Sequence, residues 1–184
     1  MLNSLFLVLW FFLPVGIANG TPVIAKYLPF LKNLNYPLDC YKTFRGIRIL
    51  GDHKTWRGLI TGVLMAIITV GVQQQIYFYS AGLREVLNFD FNSINPVIYG
   101  LLAGIGALLG DAVKSFFKRR TNIKPGSTWF PFDQIDYIIG GIVFLLPYFR
   151  LSVWEYLLTF IVWFGLHLIT TYLGFLLKFR DKPI

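Results

Sequence analysis

Charge is scarce in this chain. Only 14% of its 184 residues are Asp, Glu, Lys or Arg, and 55% are hydrophobic. An average soluble domain carries roughly 25% charged residues, so a water-soluble fold is excluded and an integral membrane protein is expected. Acid is the scarcer sign, with 9 Asp and Glu against 17 Lys and Arg, a formal charge of +8. The cations lie between apolar runs, which points to orientation in a membrane and contact with anionic headgroups or nucleotide phosphates, not to nucleic acid. Cysteine is limited to Cys40, so an intramolecular disulfide is impossible and the compartment stays open. The sequence has no duplicated halves and no low-complexity tract. Its longest polar stretch, about residues 32–58, is too short and too broken by Gly and Pro to fold alone. One polytopic membrane domain over residues 1–184 is expected. Met1 to Ser4 offer no Lys or Arg for a signal-peptide n-region, and the apolar run continues to Leu31, so a retained first membrane segment is expected.

Apolar windows of about 20 residues occur at Leu5–Pro29, Leu59–Tyr79, Ile94–Val113, Ile135–Phe149 and Val153–Leu177. The fourth is short and is expected to continue backward through Trp129–Gln134, with Pro147–Ser152 forming a tight hairpin into the fifth. Lys32, Lys42, Arg45, Arg48, Lys54 and Arg57 fill the first loop, Lys118, Arg119, Arg120 and Lys124 the third, and Lys178, Arg180 and Lys182 the tail. The second loop has Arg84 and the last hairpin Arg150. The positive-inside rule then predicts an all-α protein of about five transmembrane helices, N-terminus outside and C-terminus cytoplasmic, multi-pass in the cell membrane.

Chemistry concentrates where the third apolar segment ends, at Gly110-Asp111-Ala-Val-Lys114-Ser115-Phe-Phe-Lys118-Arg119-Arg120 and on to Lys124-Pro125-Gly126. A carboxylate and a lysine at the end of a hydrophobic helix are costly unless paired or holding a ligand. Asp111 and Ser115 are four apart and Ser115 and Lys118 three apart, so a continuing helix turns them to one side. A divalent ion held by Asp111, with Lys and Arg donors beyond it, would make a triphosphate site at the cytoplasmic membrane surface. The plainer reading of Lys118 to Arg120 is a topology anchor. Gly100, Gly104, Gly106 and Gly110 let a neighbouring helix approach closely, while a dinucleotide reading of Gly104-x-Gly106 lacks the strand it needs.

Other motifs carry two readings each. Gly51-Asp52-His53-Lys54-Thr55-Trp56-Arg57-Gly58 sits directly against a membrane segment, as loop punctuation or as a phosphate-facing loop. Asn19-Gly20-Thr21-Pro22 interrupts the first apolar run, either as a Pro kink or as a broken helix whose freed backbone and Asn19 amide line a polar cavity. Asp133 and Asp136, three apart, would share one helical face opposite the basic third loop, bridging to Lys118 or Arg119, or turning to a metal. His167, alone among Phe, Leu and Trp, reads as structural.

These residues resemble the CDP-archaeol synthase family over nearly the whole chain. The resemblance rests on Asn19-Gly-Thr-Pro22, Gly51-Asp-His-Lys-Thr-Trp-Arg-Gly58, and Gly110-Asp-x3-Ser-x2-Lys-Arg-Arg-x3-Lys-Pro-Gly126 followed by Asp133-Gln-x-Asp136. It implies a magnesium-dependent transfer of CMP from CTP to an unsaturated archaetidic acid, giving a CDP-activated ether lipid and pyrophosphate. The third motif is also similar to a shortened CDP-diacylglycerol synthase pattern, which keeps phosphatidic acid open as the substrate. Pro125 stands where that relative has an Asp, so Asp133 and Asp136 are the expected magnesium partners of Asp111. The implied catalytic group is Asp111, Lys114, Ser115, Lys118 and Arg119, and Asn19, Gly20, Asp52, His53, Lys54, Arg57, Arg120 and Lys124 bind substrate. Rival readings are a small transporter, disfavoured because the ionisable residues gather at one face, and a lipid-binding scaffold, which leaves the three aspartates without a role.

Overall fold

The computed structural model describes residues 2–87, 89–123, 127–148 and 150–178. Within them six α-helices follow one another: α1 (Leu2–Ala25), α2 (Trp56–Tyr79), α3 (Ala81–Leu87), α4 (Pro96–Arg120), α5 (Phe132–Leu145) and α6 (Val153–Leu176). The loop between α1 and α2 carries a small hairpin of β1 (Thr43–Phe44) and β2 (Ile47–Arg48). Its turn places Arg45 at φ 53° and Gly46 at φ 76°, the two positive angles that a tight hairpin turn with native strand twist demands.

Helices α1, α2, α4 and α6 have 24, 24, 25 and 24 residues and are apolar enough to cross a membrane. At 1.5 Å per residue each rises about 36 Å, more than the ~30 Å of a hydrocarbon core. Their outward faces are apolar, as a lipid solvent requires: Leu64, Ile68, Val72 and Ile76 on α2 and Ile161, Ile169 and Leu173 on α6 are exposed. The fourth expected span falls on α5, which begins at Phe132 without the expected extension back to Trp129 and whose 14 residues rise only about 21 Å, so among the described residues four of the five expected spans are long enough to cross. α4 runs seven residues past Val113, where its apolar window ends, so the cations stay on the helix.

α4 is the central helix, and its glycines explain how two neighbours reach it. A Cβ on Gly100 would lie 2.4 Å from Ile67 Cα, and one on Gly104 2.7 Å from Val63 Cα, both on α2. On the opposite side, a Cβ on Gly106 would meet Gly140 O at 2.7 Å and one on Gly110 would meet Asp136 O at 2.2 Å. Only hydrogen fits at these places, so α5 lies backbone to backbone on α4. This contact delivers the start of α5, with its aspartates, to the end of α4.

α1 corrects one expectation. It is continuous through Pro14 and Pro22, with no break at Asn19–Pro22. Pro14 has no N–H to give the carbonyl of Trp10 four residues back, and the buried Gln73 of α2 donates its Nε2 to that oxygen at 2.7 Å. A neighbouring helix thus replaces the missing donor at Pro14, while at Pro22 the helix runs on to Ala25 with Gly58 of α2 packed against the proline ring. Other buried polar groups also end on backbone carbonyls: Tyr99 Oη donates to Phe11 O at 2.8 Å, Trp163 Nε1 to Val8 O at 3.1 Å, and Tyr137 Oη to Trp163 O at 2.8 Å.

Candidate active site

The last three turns of α4 present Asp111, Lys114, Ser115 and Lys118 at helical spacing, as the sequence predicts. Lys114 is the hub. Its Nζ lies 2.6 Å from Asp133 Oδ1, 2.9 Å from Asp136 Oδ2 and 3.1 Å from Asp111 Oδ1. Lys54, 57 residues earlier on the first loop, donates to Asp111 Oδ2. Lys118 Nζ, 3.0 Å from Asp133 Oδ2, is largely buried in that pairing. Asp133 also accepts from the backbone N–H of Trp129 at 2.5 Å, and Asp136 from that of Tyr137 at 2.6 Å. Three carboxylates on two facing helices are therefore balanced by three ammonium groups from one helix and one loop.

Such a cluster can exchange partners. Phosphate oxygens compete for the ammonium groups, and a hard cation competes for the carboxylates. Among the described residues no three His, Cys, Asp or Glu side chains stand together as a metal site, because Lys114 Nζ holds the point on which the three carboxylates converge. The donor set there is oxygen only and anionic. That chemistry fits magnesium.

Beside this cluster lies a cavity of about 540 Å³, reached by Asn19, His53, Lys54, Asp111, Lys114 and Asp133. A second, mostly apolar cavity of about 380 Å³ lies between α1 and α6, lined by Leu9, Trp10, Leu13, Trp163 and Leu166 among others. Asn19 and His167 line both, so polar and apolar spaces meet at these two side chains. Ile17, Gly20 and Thr170 line the apolar space and are exposed on the bundle surface, so this space reaches the lipid side.

The remaining expected site residues are placed as follows. Gly20 lines the apolar cavity, not the polar one. Ser115 is buried and donates Oγ to Asp111 O at 2.9 Å, holding its own helix. Asp52 accepts from Arg48 at 2.9 Å with its side chain mostly exposed. Arg120 turns to the first loop, donating to Arg48 O and Ile49 O at 3.1 Å each and stacking on Phe116 at 3.7 Å. Arg57 and Arg119 line neither cavity. Lys124 lies outside the described residues.

Sequence reasoning missed several groups. Gln134 and Thr171, buried, and Lys26, Ser127 and Thr128 reach the polar cavity; only the Asp133-Gln134-x-Asp136 run carried any signal for one of them. His167 packs on Tyr137, ring centroids 5.5 Å apart, which no local pattern reveals. Asp39, in the first loop, accepts from both Arg48 and the loop backbone. Burial raises the Asp39 carboxyl, but the Arg48 fork and the N–H groups of Leu50 and Gly51 outweigh it and hold the group below the usual carboxylate range.

Known proteins agree with this architecture. A family model described as CarS-like, CDP-archaeol synthase, matches residues 1–184. A CDP-archaeol synthase of Pyrococcus furiosus is 34% identical over 175 residues, 95% of each chain, and one of Thermococcus kodakarensis is 32% identical over 99% of this chain and 98% of its own. A solved structure described as an intramembrane enzyme for archaeal membrane lipid biosynthesis superposes with a TM-score of 0.69 at 26% identity, covering 88% of this chain and 90% of the other. With a match over its whole length, through all three sequence motifs and the helical bundle that brings them together, this chain belongs to the CDP-archaeol synthase family.

Proposed function

We propose that this chain is a cytidylyltransferase that moves CMP from CTP to a lipid phosphate of the unsaturated archaetidic acid type, at the cytoplasmic face of the membrane. The observation that carries this reading is the junction of the two cavities at Asn19 and His167. A substrate with an anionic head and long apolar chains needs an ion-exchanging pocket that continues into a greasy one, and here both occur in contact.

A phosphate oxygen of the lipid attacks the α-phosphorus of CTP, forming a new P–O bond. The bond from that phosphorus to the oxygen bridging to the β-phosphate breaks, and pyrophosphate leaves with the electron pair. The lipid phosphate is already anionic at neutral pH, so no general base is required. Lys54, Lys114 and Lys118 leave their carboxylates for phosphate oxygens, where their charge stabilises the crowded anion of the transition state. Asp111, with Asp133 or Asp136, would hold magnesium, which when bound supplies charge neutralisation for the nucleotide phosphates. His53 and Asn19, at the rim of the polar cavity, orient the nucleotide or headgroup. The clustering of basic first-loop residues with the α4 end supports the cytoplasmic assignment. The test is a detergent assay with CTP, magnesium and a panel of lipid phosphates. CDP-lipid formation with the isoprenoid ether phosphate is expected, and consumption of none of the panel removes the reading.

A further inference from the structure

We propose that Asp39, which lines neither cavity, is a positioning residue that fixes the first loop so that Lys54 is delivered to Asp111 and the substrate phosphates. This rests on the cytidylyltransferase reading for the meaning of Lys54, not for its geometry.

The side chain of Asp39 is fully buried in a loop of polar composition. Its Oδ1 accepts from Tyr41 N at 3.1 Å and Arg48 Nη2 at 2.8 Å, and its Oδ2 from Arg48 Nε at 3.2 Å, Leu50 N at 3.0 Å and Gly51 N at 3.1 Å. Five donors on one carboxylate tie together residues 39 to 51, which have little regular structure of their own. Arg48 spends its other arm on Asp52 at 2.9 Å. The backbone of Arg48 and Ile49 is in turn gripped by Arg120 of α4, so the knot is fastened to the helix that carries the site.

Lys54 sits just downstream of this knot. Its carbonyl accepts from Leu38 N at 2.8 Å, and its N–H reaches Gly51 O at 3.4 Å. Trp56 N donates to Tyr36 O at 3.0 Å, after which Thr55 caps α2 by accepting from Gly58 N at 3.3 Å. Lys54 is thereby held between the residue before Asp39 and a glycine that Asp39 itself binds. A lysine has four rotatable side-chain bonds, and its ammonium is delivered to one place only if its backbone is already fixed. Without Asp39 the four donors on Arg48, Leu50 and Gly51 lose their common acceptor, and the segment from 48 to 54 is anchored at its ends alone.

The test is a double-mutant cycle in the full-length protein with Asp39→Asn, Lys54→Met and the pair. Asp39→Asn is expected to lower kcat/KM for CTP by about 10-fold or more, since charge-assisted contacts are lost. In the Lys54→Met background the same substitution is expected to cost no more than about twofold, because the residue through which it acts is gone. Arg48→Lys, which keeps charge but not the fork, should behave like Asp39→Asn and guards against one badly folding variant. Losses that multiply in the double mutant overturn the proposal, as does full activity of Asp39→Asn. A readout independent of turnover is amine-reactive footprinting by mass spectrometry. Asp39→Asn should speed modification of Lys54 several-fold and leave Lys114, on α4, unchanged; equal acceleration of both indicates a loosened bundle and overturns it too. If the wild type makes no CDP-lipid, the functional reading fails while the footprint still decides the role of Asp39.

Discussion

Replacing Gly110 by Ala should damage the site from behind, without touching a charged residue. A Cβ at that position would stand 2.2 Å from Asp136 O, whereas a carbon and a carbonyl oxygen settle at about 3.3 Å or more. The difference, about 1 Å, must be taken up by moving α5 away from α4, since the obstacle is backbone and no rotamer relieves it. Lys114 Nζ is 2.9 Å from Asp136 Oδ2, so the same displacement stretches that contact to about 3.9 Å, beyond hydrogen-bonding range. Overpacking of this kind costs about 1–3 kcal/mol of stability, and a 1 Å misplacement of catalytic groups costs on the order of 100-fold in rate. The assays are thermal unfolding in detergent and CDP-lipid formation. Gly71→Ala is the control, because nothing stands within 4 Å of its added Cβ, and helix propensity alone predicts a slight gain of up to about 1 kcal/mol. Wild-type melting and turnover for Gly110→Ala would show that close approach of α4 and α5 does not build the site.

Gln73→Leu should destabilise the bundle by about 1 kcal/mol by leaving Trp10 O without a donor, and Pro14→Ala, which restores a backbone N–H for that oxygen, should stabilise the Gln73→Leu protein more than the wild type; equal effects in both backgrounds refute the pairing. For topology, the free, exposed Cys40 and a cysteine at Thr121 should be closed to an impermeant thiol reagent in intact cells, whereas a cysteine at Asn92, in a Cys40→Ser background, should react; labelling of positions 92 and 121 from the same side contradicts the orientation. The carboxyl of Asp39 is held below its ordinary value, so its contribution to loop stability is complete above the unfolded pKa of about 3.9 and is lost as pH falls toward the folded one. Hydrogen-exchange protection of Leu50 and Gly51, pulsed at one labelling pH after incubation from pH 8 to 3, should stay level to about pH 5 and weaken only below about pH 4; a loss between pH 7 and 5 would disprove this.

Much of the bundle was legible because lipid-facing helices announce themselves by length and apolarity, and because spacing alone puts Asp111, Lys114, Ser115 and Lys118 on one side of α4. The expected close approach at Gly100 to Gly110 is present, shared between α2 and α5. What the sequence hid is the product of distant packing. That Lys114 stands among Asp111, Asp133 and Asp136 depends on α5 folding back onto α4, and nothing near residue 114 records it. Arg120 reads as one more juxtamembrane cation, yet it grips a loop 72 residues away. An Asp in a turn-rich loop carries no signal, so Asp39 was invisible before Arg48, Leu50 and Gly51 were seen to converge on it. The broken-helix reading of Asn19–Pro22 failed because α1 packs on α2 there, with Gly58 against Pro22 and Gly62 against Ala18 O, a contact between distant residues that the local motif does not record.

The most direct test of the central claim is a stoichiometric assay of purified protein with CTP, magnesium and an isoprenoid ether lipid phosphate, run beside Asp111→Asn. Equal amounts of CDP-lipid and pyrophosphate are predicted for the wild type. A rate at least about 100-fold lower is predicted for the variant, the scale of removing one electrostatic contributor to the transition state, with membrane insertion unchanged. Cytidine-lipid formation at a near-normal rate by Asp111→Asn, or none by the wild type with any lipid phosphate, would contradict the account.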